Sequence, residues 1–367
     1  MKSKIISIGT AVPEYQISQM EVGELMTQIL PLKQDEKRKL LSLYRSSGIK
    51  YRHSVIEDFT VDLEHFEFFP NGVKSPFPST RDRMKKYKEQ ALSLALNAVN
   101  DCFEHANVGK EEITHLIVIS CTGIYAPGMD IELVENLGLK TNTQRTGVNF
   151  MGCYAAFNGL KVADNICKAD PDATVLMVSL ELCTLHFNPH TDIENILVNM
   201  LFSDGAAAVL LQEEKRTKKG LTIEKFHCDL APESKNEMTW DIGNHGFDMK
   251  LSPQVPDIIR QGIEKLCLNL LHQDKFEQDS IDIYAIHPGG RKILEVIEEK
   301  LKVPRERNWA AYHVLENFGN MSSPTILFVL KTIWEKLTAE DDNKSILSFA
   351  FGPGLTLESM LLTTKLA

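Results

Sequence analysis

Residues 148–160 read VNFMGCYAAFNGL. Val148, Asn149 and Phe150 suit an extended segment, whereas Cys153 to Leu160 suit a helix, so the Met151–Gly152 pair marks the turn between them. A cysteine at such a turn meets the helix N-terminus. Unpaired N–H groups and partial positive charge there stabilise a thiolate and lower the thiol pKa. Gly152 permits a sharp turn and close approach of a substrate. The bland alternative is a small thiol filling a core gap.

Outward from Cys153, apolar β-branched runs alternate with helical patterns. THLIVIS (114–120), ATVLMVSLE (173–181) and DGAAAVLLQ (204–212) read as strands, and a helix is expected over about 154–168. KIISIGTAVP (4–13) is expected to be the first strand. The second half repeats the order. DIYAIHP (282–288) reads as a strand, GNMSSP (319–324) opens a helix ending near Leu337, and SILSFAFG (345–352) and LTLESMLL (355–362) follow as strands. Cys153 lies 33 residues after Ser120, and Asn320 lies 33 after His287. The matched order implies an α/β fold from a duplicated unit, with helix starts at Cys153 and Asn320 near a shared centre. The halves divide at 1–219 and 220–367.

The bulk composition fits a large globular chain. It has 367 residues, 43% hydrophobic and 25% charged, with a net charge of −10. The acidic balance gives no support for nucleic-acid binding, though a local basic patch remains compatible with it. No run of eighteen apolar residues suggests a membrane span, and the N-terminus lacks the pattern of a signal peptide. Seven cysteines without CxxC spacing argue for a reducing compartment and against a disulfide scaffold or zinc site, so a cytoplasmic location is expected. QDEKRKLLSLYRSSGIKYR (34–52) reads as a solvated helix and basic turn, and residues 82–107 as a longer helix.

Two further residues suit chemistry with Cys153. His287 ends a buried strand before Pro288-Gly289-Gly290, and an imidazolium beside a thiolate forms the ion pair that a cysteine nucleophile uses. Asn320 can donate to an oxyanion, or serve simply as a helix N-cap. Together the three suggest acyl transfer to cysteine, followed by decarboxylation of a malonyl-type thioester whose enolate oxygen needs two donors. No metal or redox cofactor is called for. GGRK (289–292) lacks the spacing of a nucleotide loop. SDGAAAVLL (203–211) is a packing strand, and FGPGLT (351–356) a turn whose glycines can border a cavity.

GCYAAFNG (152–159), IHPGG (286–290), ENFGNMSS (316–323) and FGPGLT together resemble the type III polyketide synthases of the chalcone synthase superfamily, in a bacterial form. The resemblance runs from GTAVP (9–13) to TLESMLL (356–362). FGPGLT is its most discriminating motif, with Ala350 in place of a usual glycine. The resemblance implies a five-layered αβαβα thiolase-like fold, a homodimer, free coenzyme A thioesters as substrates and no acyl carrier protein. It implies Cys153, His287 and Asn320 as the catalytic set. Phe202 matches one gate phenylalanine, and the second falls on Met249 or neighbouring Phe247. Cys121, Thr122, Cys183, His186 and Trp240 fall on cavity positions, with Ser322, Gly352 and Pro353 also against the substrate. Arg45, Lys50 and Arg52 resemble a coenzyme A phosphate clamp, and Ala126 in TGIYAPGMD (122–130) a residue reaching into the partner's cavity.

The changed gate and cavity point to an aliphatic acyl starter with an alkylpyrone or alkylresorcinol product. Three alternatives stand beside this reading. One is a ketoacyl synthase III-like single condensation. Another is a hydroxymethylglutaryl-CoA synthase-like enzyme using Glu181 or Glu316. The third is a catalytically silent thiolase-fold binding protein.

Overall fold

The computed structural model describes residues 1–70, 77–272 and 277–366. Nine strands form the main sheet: β1 (Ser3–Ala11), β2 (His115–Ser120), β3 (Gln144–Asn149), β4 (Thr174–Leu182), β5 (Asp204–Glu213), β6 (Gly220–Leu230), β7 (Ile283–Ile286), β8 (Ser345–Gly352) and β9 (Thr356–Lys365). Their order is β7-β8-β9-β6-β1-β5-β4-β2-β3. Read outward from the centre, the two sides repeat each other. β1–β5 and β5–β4 are antiparallel and β4–β2 parallel, while β6–β9 and β9–β8 are antiparallel and β8–β7 parallel. Within the sheet, the two sides join through the pairs Lys4–Thr222 and Ile5–Leu221.

Four helices make the layers: α1 (Thr80–Glu104), α2 (Ala155–Ala169), α3 (Val255–Leu271) and α4 (Thr325–Trp334). α1 covers β1, β5 and β4, and α3 covers β9 and β6. α2 touches β4, β2 and β5 but also β9, and α4 touches both β1 and β7. These two helices therefore form the middle of a five-layered αβαβα stack. β4 and β5 are buried along their whole length, which is why they read as continuous apolar runs rather than alternating ones. Gly9 lets α1 lie directly on β1, since a Cβ there would sit 2.1 Å from the Cys102 backbone nitrogen.

β6 carried no clear sequence signal, and β3 showed one only in its last residues, Val148 and Asn149. β3 (QRTGVN) is an exposed edge strand with no apolar face to announce it. β6 is buried for its first four residues only, and its remainder mixes charged and apolar side chains. Of the helix and basic turn expected over 34–52, the helix is Gln34–Ser46, after which Tyr51–Ser54 pairs with Tyr15–Ser18 as a short two-stranded sheet. Among the described residues, no helix is long and apolar enough to cross a membrane.

Candidate active site

Cys153 occupies a single 3-10 turn, Gly152–Tyr154, directly before α2. Two positive-φ residues make this turn, Phe150 (φ 58°) and Gly152 (φ 73°). Glycine is needed at 152 on two counts. Its φ is left-handed, and a Cβ would lie 2.4 Å from Pro353 Cδ. The FGPG loop thus packs against the cysteine turn, and Gly352 fits beneath the Tyr154 ring with its Cβ position 3.4 Å from the Cys153 backbone nitrogen. Gly352 and Pro353 brace the nucleophile rather than line the cavity.

The second half contributes the other two residues. His287 follows β7, and its backbone N–H donates to Phe349 O at 2.8 Å. Asn320 lies in the loop before α4. Its backbone N–H donates to Leu201 O at 3.0 Å, and its carbonyl accepts from Ser203 N at 2.9 Å. Asn320 is not the helix cap: α4 begins at Thr325 with Pro324 before it. Its Oδ1 instead accepts from Ser322 N (2.8 Å), and its Nδ2 donates to Gly289 O (3.2 Å). An amide has two N–H donors, and the second faces the Cys153 sulfur.

All three side chains are out of water, with Cys153 5%, His287 1% and Asn320 2% exposed. Ser322, at φ 58°, and Asn320 turn their side chains toward Cys153, where both favour its ionised form. Among the described residues, neither ring nitrogen of His287 has a hydrogen-bond partner. Burial decides the protonation states. It lowers His287 to about 3 and lifts the Cys153 thiol to about 11, over the opposing effect of the Ser322 and Asn320 hydrogen bonds. Burial thus acts against the thiolate–imidazolium pair expected from the sequence.

Phe202, Met249, Cys183, His186 and Trp240 come together around one cavity of about 30 Å³, joined by Phe247. That volume holds one or two waters. Its far wall is an aromatic block. His186 stacks on Phe247 at 4.3 Å, and Trp240 meets both rings edge-on. His186 Nε2 donates to Thr122 O (2.7 Å), its Nδ1 accepts from Phe247 N (2.9 Å), and Trp240 Nε1 donates to Cys121 O (2.7 Å). Cys121 and Thr122 thus stand behind the wall, not on it. Sequence reasoning missed Asn195 and Asn199, which also line the cavity. Their i, i+4 spacing among the apolar residues of the helix Ile193–Leu201 was the available signal.

The three basic residues divide. Arg45 and Lys50 are exposed. Arg52 is buried, and its guanidinium donates to Asn199 O (2.8 Å) and Phe202 O (2.7 Å). It holds the Phe202 loop and cannot serve as a surface phosphate clamp. The pairing Ile17–Arg52 in the short sheet sets that inward direction. A cleft of about 280 Å³ leads toward Gly289, with Leu43, Leu201 and Pro253 on its walls and Arg291 and Lys292 at its rim. Lys50 and Arg291 also line an adjoining cleft of about 530 Å³. Glu316 is exposed, whereas Glu181 is fully buried behind the site. Ala126 is exposed, next to a cis Ala126–Pro127 bond.

Comparison with known proteins agrees over the whole chain. Residues 1–214 match the model of the chalcone and stilbene synthase N-terminal domain, and residues 223–365 that of the C-terminal domain. An alpha-pyrone synthesis polyketide synthase-like protein, Pks18 of Mycobacterium tuberculosis, is 29% identical over 361 residues, covering 97% of this chain and 90% of that one. Type III polyketide synthase A of Arabidopsis thaliana is 29% identical over 372 residues, covering 98% and 92%. Among solved structures, PKS-I of the brown alga Ectocarpus siliculosus superposes with a TM-score of 0.91 at 30% identity, covering 99% and 98%. The C-terminal type III domain of Steely1 from Dictyostelium gives 0.91 at 27% identity over the full length of both chains. The chain belongs to the chalcone and stilbene synthase family, the type III polyketide synthases, and is with them an acyltransferase.

Proposed function

We propose that this enzyme loads an aliphatic acyl group from coenzyme A onto Cys153, extends it with malonyl-CoA by decarboxylative Claisen condensation, and closes the short product to an alkylpyrone or alkylresorcinol. The observation that carries the reading is a buried thiol with the Ser322 hydroxyl and Asn320 amide turned toward it, Asn320 being bonded in turn to Gly289, two residues from His287. A neutral His287 can take the thiol proton as sulfur attacks the starter thioester, then return it to the departing coenzyme A thiolate. In the second step Asn320 Nδ2 and a His287 N–H hold the malonyl thioester oxygen. Carbon dioxide leaves, and the negative charge that develops on that oxygen meets both donors in a dry site. The enolate carbon attacks the acyl-cysteine, forming the carbon–carbon bond and releasing the sulfur. This chemistry needs no metal or redox group.

The 280 Å³ cleft supports entry of a coenzyme A arm, with Arg291 and Lys292 toward its phosphates in place of Arg52. The aromatic block leaves little room for an aromatic starter and supports a small aliphatic one with few extensions. The similarity to an alpha-pyrone synthesis protein supports lactone closure. The open outer edge of β3 and the exposed Ala126 loop support a homodimer, and free coenzyme A thioesters rather than an acyl carrier protein are the expected substrates. Seven free cysteines support a reducing, cytoplasmic setting. The two matched runs of strands support halves at 1–219 and 220–367.

The test is to incubate the protein with malonyl-CoA and acyl-CoA starters of two to sixteen carbons and identify products by mass. Products with two or more malonyl-derived units are expected. Single-extension products alone, or turnover only with an acyl carrier protein, would favour a ketoacyl synthase III-like activity instead.

A further inference from the structure

The cavity of about 30 Å³ has two kinds of lining. On its aromatic block the polar atoms are taken. Both ring nitrogens of His186 and the indole N–H of Trp240 are bonded to backbone groups, so the block offers a substrate only carbon. Three amides, Asn188, Asn195 and Asn199, line the same space. Asn195 and Asn199 stand one turn apart on the helix Ile193–Leu201.

These amides are only half engaged. Asn188 Nδ2 donates to Asp248 Oδ1 (3.1 Å), Asn195 Nδ2 to Asp192 Oδ2 (2.8 Å) and Asn199 Nδ2 to Asn188 O (2.7 Å). A carbonyl or carboxylate oxygen only accepts, so each partner fixes which end of the amide is nitrogen. Among the described residues, none of the three Oδ1 atoms accepts a hydrogen bond. Arg52 supplies the converse. It lines the same space, is 5% exposed, and among the described residues its Nε–H has no partner.

Polar groups left unpaired away from water are costly. Free acceptors beside a free donor therefore call for a ligand that carries both. An alkyl tail carries neither. A chain extended with malonyl units carries carbonyls on alternate carbons, and the methylene between two of them readily gives the enol. The enol hydroxyl donates, and the neighbouring carbonyl accepts. In a free chain these two groups bond each other and curl the backbone. An amide oxygen and a guanidinium N–H can take them separately and keep the chain extended. The helix that carries Asn195 and Asn199 is half-buried along most of its length, which leaves it free to shift as the space fills.

We propose that Asn195 and Asn199, with Asn188 and Arg52, form the subsite that holds the β-keto enol of the growing chain, and so determine whether extension continues past the first unit. The proposal rests on the polyketide synthase reading above.

The experiment incubates the full chain with hexanoyl-CoA and malonyl-CoA and measures, by mass, the ratio of products with two malonyl-derived units to products with one. Asn195→Leu and Asn199→Leu keep the branching of the side chain without its polar atoms. Each should lower the ratio several-fold, the scale of one lost hydrogen bond. Asn195→Gln, which keeps the amide oxygen, should restore most of it. A wild-type ratio in both leucine variants would overturn the proposal. So would a parallel fall of both product classes, which marks a purely structural loss. Asn195→Leu decides alone if Asn199→Leu, which also strips Asn188 O of its donor, does not fold. A wild type that makes no two-unit product would overturn the polyketide synthase reading and the subsite with it, whereas an unchanged ratio beside a productive wild type overturns the subsite alone.

Discussion

The turn at Cys153 and the turn at Asn320 occupy matching places in the two halves, yet they are built differently. In the first, the helix begins at Ala155, two residues after the cysteine. In the second, it begins at Thr325, five residues after the asparagine. Both rely on left-handed residues, Phe150 and Gly152 in one and Gly319 and Ser322 in the other. The short form aims a backbone-anchored sulfur into the site. The long form leaves room for Asn320 Oδ1 to fold the loop on itself, turning its amide N–H toward the same point. One duplicated scaffold thus yields a nucleophile on one side and oxyanion donors on the other.

If this division of labour holds, Asn320→Ala has the largest selective effect. Carbon dioxide release from malonyl-CoA should fall by about 10²–10³-fold, the scale for one oxyanion donor. Acylation of Cys153 by the starter should fall much less, and equal losses would break the comparison. Gly152→Ala should follow. The strained φ and the contact with Pro353 predict a loss of about 1–3 kcal/mol in a urea melt. Alanine at the exposed Gly138 C-cap, where a Cβ meets nothing within 4 Å, bears only the strained φ.

The pH dependence of stability sharpens the contrast in charge state. His287 titrates near 3 when folded and near 6.5 when unfolded, so the unfolded chain binds the extra proton between those values. Its contribution is present above pH 6.5 and lost as pH falls toward 3, with a slope of about 1.4 kcal/mol per pH unit. Glu181 and Asp204, raised by burial to about 7 and about 6, act in the opposite sense. The clean readout is therefore a difference: His287→Gln should lose stability less steeply than wild type on acidification. The smallest effect is expected at the cleft rim. Arg291→Ala should raise KM for the coenzyme A thioester several-fold with kcat unchanged, the signature of uniform binding.

Much of this was legible in the sequence. Continuous apolar runs marked β2, β4, β5 and β8, because strands buried on both faces need no alternation. The three reactive residues stood in turn motifs between such strands. Arg52 misled because its direction depends on pairing with Ile17, a contact of long sequence range. Cys121 and Thr122 were expected on the cavity wall, but Glu181 and the aromatic block claim their polar groups. The effect of burial on the Cys153 and His287 titrations was hidden too. Motifs report which groups meet, whereas burial decides whether they ionise.

Cys153→Ala tests the central claim most directly, by following malonyl-CoA decarboxylation and product formation in the same reaction. The division between halves predicts that carbon dioxide release persists through His287 and Asn320 while condensation drops by at least about 10³-fold, the scale for loss of a covalent nucleophile. A variant that still made polyketide, or one whose carbon dioxide release vanished with the sulfur, would contradict it.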